Sequence, residues 1–97
     1  MARFDVNADD GMLLLDVQTN LIRGLGTRLV VPLLPAGQTP PALRKLHPVF
    51  TIGGLNYVMA THLMSTAEEH GLGKPVLSLD KHYDAIVAAV DMVFLGF

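Results

Sequence analysis

The hydrophobic period of this chain changes once, near Leu79, and that change narrows the folds open to it. Before that point the apolar residues come in short runs cut by Gly, Pro, Asn and Asp. From there on, Leu79, Tyr83, Ile86, Val87, Val90, Val93, Phe94 and Phe97 recur at intervals of three and four, which lines them along one stripe of an α-helix. Ala85, Ala88 and Ala89 are strong helix formers, and no breaker intervenes before Gly96. Asp80 is the expected N-cap, because its carboxylate can accept a backbone N–H at the positive end of the helix dipole. Several short strands followed by one helix describe a mainly-β or α+β domain, a small, partly open barrel closed by a C-terminal helix.

Turn chemistry orders the strands. "ARFDV" and "MLLLDVQ" flank "NADDG", in which Asp10-Gly11 is a hairpin signal because both residues tolerate positive φ. "TRLVVPLL" is a third strand, and Pro32 inside it predicts an edge, a bulge or a strand change. "PAGQTPPALRKLH" reads as a Pro-rich connection in which "ALRKL" forms one helical turn or a short arm. The clearest hairpin is "HPVFTIGGLNYVMATH", where Phe50 and Ile52 precede Gly53-Gly54 and Leu55, Tyr57 and Met59 follow with period two. "LMSTAEEHGLGKPVLSLD" predicts loops with at most one short strand, "PVLSL".

With 97 residues the chain suits a single domain, residues 1–97. Hydrophobic residues make up 51% and charged ones 16%, an apolar excess for a small body with much surface, so part of that surface is expected to be covered by another chain, most simply in a homodimer. The net charge is −2, and among Arg3, Arg23, Arg28, Arg44, Lys45, Lys74 and Lys81 only Arg44 and Lys45 are adjacent. Gripping a phosphate backbone needs clustered cations, so direct nucleic-acid contact is disfavoured. The absence of cysteine excludes disulfides and suits a reducing compartment. "MARFDVNADDG" carries no apolar signal region, and no run approaches membrane-spanning length. The expectation is a soluble cytoplasmic protein.

No residue set points to catalysis. His47, His62, His70 and His82 lack a metal-ligand spacing and read as isolated polar residues. "GLGTR" and "GLGK" lack the spacing of phosphate loops, and turn glycines explain them better. Ser65 and Ser78 sit in no nucleophile elbow, while Asp9-Asp10 and Glu68-Glu69 read as solvated loop charges. Asp16, beside the apolar "MLLL", is expected to be partly buried with a backbone or Arg partner and to serve the structure. What remains is the ending "VDMVFLGF", whose last turn carries no Lys, Arg or His to complement the helix dipole. Either this tail folds onto the core, or it stands out as an anchor for a partner.

In their order and spacing, "LLLDVQTNLIRGLGTRLVVPL", "LHPVFTIGGLNYVMATHLMS" and "IVAAVDMVFLGF" resemble the CcdB family of toxins from bacterial toxin–antitoxin modules. The resemblance runs through nearly the whole chain, with a length change in the Pro-rich connection. Its strongest marks are "DVQ" followed by Leu21-Ile22, the "VVPL" strand, "HPV…IG" and the aromatic-x-Gly-hydrophobic tail. It implies an SH3-like β-barrel with a small inserted sheet and a long C-terminal helix, a homodimer, and neither enzymatic activity nor a cofactor. It also implies two protein partners: DNA gyrase, whose A subunit the toxin binds to trap the enzyme on cut DNA, and a CcdA-like antitoxin whose disordered segment folds onto the toxin.

In that family the gyrase contact is a C-terminal Trp-Gly-Ile, a Phe before it, an Asn earlier in the helix and two hydrophobic residues after "DVQ". Carried over by position, these are Leu95, Gly96 and Phe97, then Phe94, then Asp91, then Leu21 and Ile22. Leu95 and Asp91 depart from the Trp and the Asn. Leucine has no π-face to stack on a gyrase arginine, a contact worth about 2 kcal/mol when desolvated, so the resemblance implies weaker gyrase binding, or a gyrase matched to this tail. One alternative is a CcdB-like protein with weakened or lost poisoning that mainly binds antitoxin and modulates operon repression. Another is an endoribonuclease, since related toxins with this barrel cleave messenger RNA; the sparse cations weigh against it.

Overall fold

The computed structural model describes residues 2–38 and 43–97. Strand β1 (Asp5–Asp9) turns through Asp10 and Gly11, at φ of 51° and 81°, into β2 (Met12–Asp16), with Asp9 opposite Met12. This is the hairpin the Asp-Gly pair predicts. β1 nevertheless runs closer to the turn than "ARFDV" suggests, since Asn7, Ala8 and Asp9 belong to it. Phe4 lies outside it, at φ 74°, its ring 4% exposed and its N–H donating to the Asp16 carbonyl at 2.6 Å.

β3 (Thr27–Pro35) is the spine of the sheet. One edge pairs with β2, from Leu13 opposite Leu33 to Asp16 opposite Val30. On the other edge, Thr27 to Val30 pair with β6 (Ser65–Glu68), whereas Leu33 to Pro35 pair with β5 (Leu55–Met59). Pro32 sits where the neighbour changes. It has no N–H to give there, and its carbonyl accepts the Ala60 N–H at 3.0 Å. Of the three roles open to Pro32, strand change is the one observed.

β4 (Val49–Ile52) joins β5 through Gly53 and Gly54 at φ of 60° and 82°, again as predicted. Leu55 departs from the expected inward alternation, because it lies at the hairpin tip and is exposed. β6 is a strand where the sequence predicts a loop: "STAE" has no apolar alternation, and backbone pairing to β3 holds it rather than burial. β7 shrinks to Leu77–Ser78 on the free edge of β1. The strand order is β4-β5-β3-β2-β1-β7, with β6 beside β3, and the sheet curls into a half-barrel. Of "ALRKL", Leu43 to Leu46 form a single turn closed by the His47 N–H on the Leu43 carbonyl at 2.7 Å; Ala42 lies outside the described residues.

Helix α1 (Tyr83–Leu95) ends the chain, giving the barrel-plus-helix arrangement expected from the change of period. Asp80 does not cap it. Asp80–His82 form a 3₁₀ turn, in which the His82 N–H reaches the Leu79 carbonyl at 2.9 Å, so the free donors of the helix start meet backbone first. Ile86 and Ala89 of α1 share one buried cluster with Phe4, Val6, Leu15, Val31, Leu33 and Leu79. Leu14, Val30 and Leu72 form a second, smaller cluster. Because Leu14 and Leu15 enter different clusters, β2 is covered on both faces, and "MLLL" reads as an unbroken apolar run rather than an alternating one.

Candidate functional site

The tail is not folded onto the core. Ile86 and Ala89 are fully buried, but Phe94 is 65%, Leu95 60% and Phe97 74% exposed, with Val93 at 39%. α1 keeps its helical bonds through Leu95 and is closed by Gly96 at φ 81°, whose N–H donates to the Met92 carbonyl at 3.1 Å. Gly96 supplies the left-handed residue that commonly ends a helix. The apolar tip is therefore carried on a regular helix end. Asp91 lies one turn earlier and is half-buried.

Leu21 and Ile22 occupy the loop between β2 and β3, where Leu21 is 93% and Ile22 46% exposed. A polar network lies behind them. The Asp16 carboxylate and the Arg28 guanidinium, 0% and 2% exposed, meet through Arg28 Nε on Asp16 Oδ2 at 2.7 Å and Arg28 Nη2 on Oδ1 at 3.1 Å. The hydrogen bond to Asp16 holds the Arg28 pKa above its ordinary value, against the lowering effect of burial. Arg28 Nη1 and Nη2 also donate to the Ile22 and Gln18 carbonyls at 3.3 and 3.2 Å. Gln18 completes the set, its Nε2 donating to the Ile22 carbonyl at 3.0 Å and its Oε1 accepting from the Leu29 N–H at 3.1 Å.

Of the backbone or arginine partner expected for Asp16 it has each, the backbone one through the Gln18 N–H on Oδ1 at 2.9 Å, and it is fully rather than partly buried. Sequence patterning alone does not single out Arg28 or Gln18 as part of a site. The available signal was an arginine in phase with Val30 in an otherwise apolar strand, since period two puts both on one side.

Among the described residues no hydrogen bond or ring contact joins the tail to the Leu21-Ile22 loop. The N-terminal segment links the loop instead to the start of α1. The Arg3 N–H donates to Asn20 Oδ1 in the loop at 2.8 Å, and the Arg3 guanidinium lies 4.8 and 5.3 Å from the ring centres of Phe4 and of Tyr83 at the start of α1. Beneath Arg3 is a cleft of about 180 Å³ lined by Phe4, Val17, Ile86, Val87 and Val90.

The histidines are not isolated: His70 Nε2 lies 3.3 Å from Glu68 Oε2, the His82 ring 4.9 Å from that of Phe50, and His47 pairs with His62. His47 Nδ1 accepts the Leu43 N–H at 3.2 Å, so its proton resides on Nε2 and is given to His62 Nδ1 at 2.9 Å. Burial, and secondarily His62, lower the His47 pKa. His47 and His62 are 15 residues apart in the chain, a contact no local spacing announces. Among the described residues no three His, Asp or Glu side chains gather to hold a metal ion, and no helix is long and apolar enough to cross a membrane. Asn7 is buried with Nδ2 donating to the Leu72 and Gly73 carbonyls, both at 3.0 Å, which ties β1 to the segment after β6.

A buried Asp-Arg pair under an apolar loop, a strand that changes partner at a proline and a helix ending in an exposed aromatic-x-Gly-aromatic tip thus stand together in one chain. The family model described as CcdB protein matches residues 3–96, from the arginine over the cleft to the glycine that closes the helix. With nearly every residue inside that match, the chain belongs to the CcdB family.

Proposed function

We propose that the chain is the toxin of a type II toxin–antitoxin system, a non-enzymatic, cytoplasmic homodimer of one domain that binds the A subunit of DNA gyrase and traps the enzyme on cleaved DNA. A CcdA-like antitoxin neutralises it. Membership of the CcdB family supports the toxin assignment. The observation that carries the gyrase reading is the exposed tip itself: Phe94, Leu95 and Phe97 stand at 60–74% exposure on a closed helix end. Fully burying a side chain of this kind is worth about 1.5–3 kcal/mol, and rigid apolar anchors are the usual centre of a protein interface. The contact set is Phe94, Leu95, Gly96 and Phe97 with Asp91, and Leu21 with Ile22.

Leu95 and Asp91 favour a second reading in parallel, in which poisoning is weakened and the protein mainly binds antitoxin and tunes repression of its operon. One experiment separates the two. The purified protein is incubated with gyrase, ATP and supercoiled plasmid, and trapped double-strand cleavage is scored after denaturant and protease. Leu95→Trp and a chain lacking residues 95–97 run alongside. Cleavage by the parent, lost on truncation, is the expected result. Cleavage by Leu95→Trp alone supports the weakened toxin, and silence from both folded proteins refutes gyrase as target.

A further inference from the structure

We infer that Gln18 and Arg28, anchored on Asp16, are positioning residues that hold Leu21 and Ile22 outward as a preformed contact. For its effect on binding this rests on the gyrase reading above; the loop geometry does not. The Asp16–Arg28 fork uses two of the five guanidinium N–H donors, and a buried arginine needs acceptors for the others without those acceptors having to lie in this loop. Here the guanidinium directs further N–H groups at the Gln18 and Ile22 carbonyls, and Gln18 Nε2 reaches the same Ile22 carbonyl, so that one loop oxygen receives two donors. The Gln18 N–H donates in turn to Asp16 Oδ1 at 2.9 Å, and the Ile22 N–H to the Thr19 carbonyl at 3.2 Å. Both main-chain polar groups of Ile22 are thereby committed.

The side chains explain why such a clamp is needed. Leu21 at 93% exposure cannot be held by its own burial, and an apolar loop without anchors would collapse or fluctuate. Gly24 and Gly26, at φ of 75° and 81°, let the chain turn back into β3 directly after the held segment. Order is thus imposed from below by polar bonds while the apolar faces stay free. A partner then meets a loop whose ordering cost has been met in folding rather than on association.

Gln18→Met tests this, since it keeps the side-chain length but removes both the donor to Ile22 and the acceptor for Leu29. Methyl and amide NMR of the full chain, with binding to the gyrase A subunit measured in parallel, gives two independent readouts. The expected result is core methyl signals of Leu15 and Val31 in place, Leu21 and Ile22 methyl signals moved towards random-coil positions, and affinity for the subunit lowered about tenfold, the scale of ordering a few side chains on binding. Arg28→Lys, which keeps a charge beside Asp16 but not the fork, is expected to reproduce the loop signals; should it fail to fold, Gln18→Met decides alone. Loop signals unchanged in Gln18→Met, or a loosened loop with parental affinity, would overturn the inference. If the parent does not bind the subunit at all, the gyrase reading fails, and the Leu21 and Ile22 signals then decide the clamp by themselves.

Discussion

Removing both members of the Asp16–Arg28 pair should cost less stability than the two single removals added together. Asp16 and Arg28 are 0% and 2% exposed and share two bonds at 2.7 and 3.1 Å. Asp16→Ala leaves the guanidinium buried with only two carbonyl partners. Arg28→Met leaves the carboxylate with the Gln18 N–H. An uncompensated buried charge of this kind costs about 3–5 kcal/mol, which for a domain of this size lowers Tm on the order of 20 °C. The double variant has no stranded charge, so its cost should fall short of the sum by at least about 2 kcal/mol, near the upper range of measured couplings. Urea unfolding of the four proteins of the cycle, at one fixed protein concentration because dimerisation would shift the midpoints, gives the coupling directly. Raising the salt concentration should leave it nearly unchanged, as expected of a pair shielded from solvent. Single-variant costs below about 1 kcal/mol, the range of exposed pairs, or strictly additive costs, would refute the account.

Leu95→Trp, at a site 60% exposed, should alter stability by less than about 0.5 kcal/mol. It should tighten gyrase binding by roughly 30-fold if a desolvated cation–π contact of about 2 kcal/mol is regained; calorimetric titration beside thermal unfolding reads both. Gly96→Ala forces a β-carbon into a φ of 81° and should cost roughly 1–2 kcal/mol at the helix end, visible as a lower unfolding midpoint and altered Phe97 resonances. Native His47 binds its proton less readily than the unfolded chain does, so stability should be complete above its ordinary pKa of 6.5 and fall as pH drops below it towards the lowered native value. In His47→Asn that dependence should flatten between about pH 6.5 and 5, above the carboxylate range, in unfolding curves taken across that interval.

The features legible in sequence are those whose cause is local. Asp10-Gly11 and Gly53-Gly54 dictate their turns because their own backbones accept positive φ. The stripe from Leu79 to Phe97 dictates a helix because 3.6 residues per turn is a property of the segment alone. Asp80 shows the limit of that reading. Its side chain is a sound cap in isolation, yet the Leu79 carbonyl and a 3₁₀ turn take over the first donors once Leu79 is drawn into the core. β6 shows the same limit from the other side: four mostly exposed residues form a strand only because Thr27 to Val30 present an unpaired edge to them.

The candidate site divides along this line. The apolar character of Leu21, Ile22, Phe94, Leu95 and Phe97, and the glycine that ends the helix, are written in the chain, and with the motif order they suffice to indicate the family. Their exposure is not. Whether an apolar tail is buried depends on where the sheet ends beneath it, and α1 is exposed from Val93 onward. The partners of Asp16, the pairing of His47 with His62 and the hold of Gln18 on Ile22 likewise required the closed fold. Bonds between distant residues exist only after loop closure has been achieved cooperatively, so the sequence by itself determined the turns, the helix and the chemistry of the tip, and only the tertiary structure decided which of those groups meet each other and which are left to meet a partner.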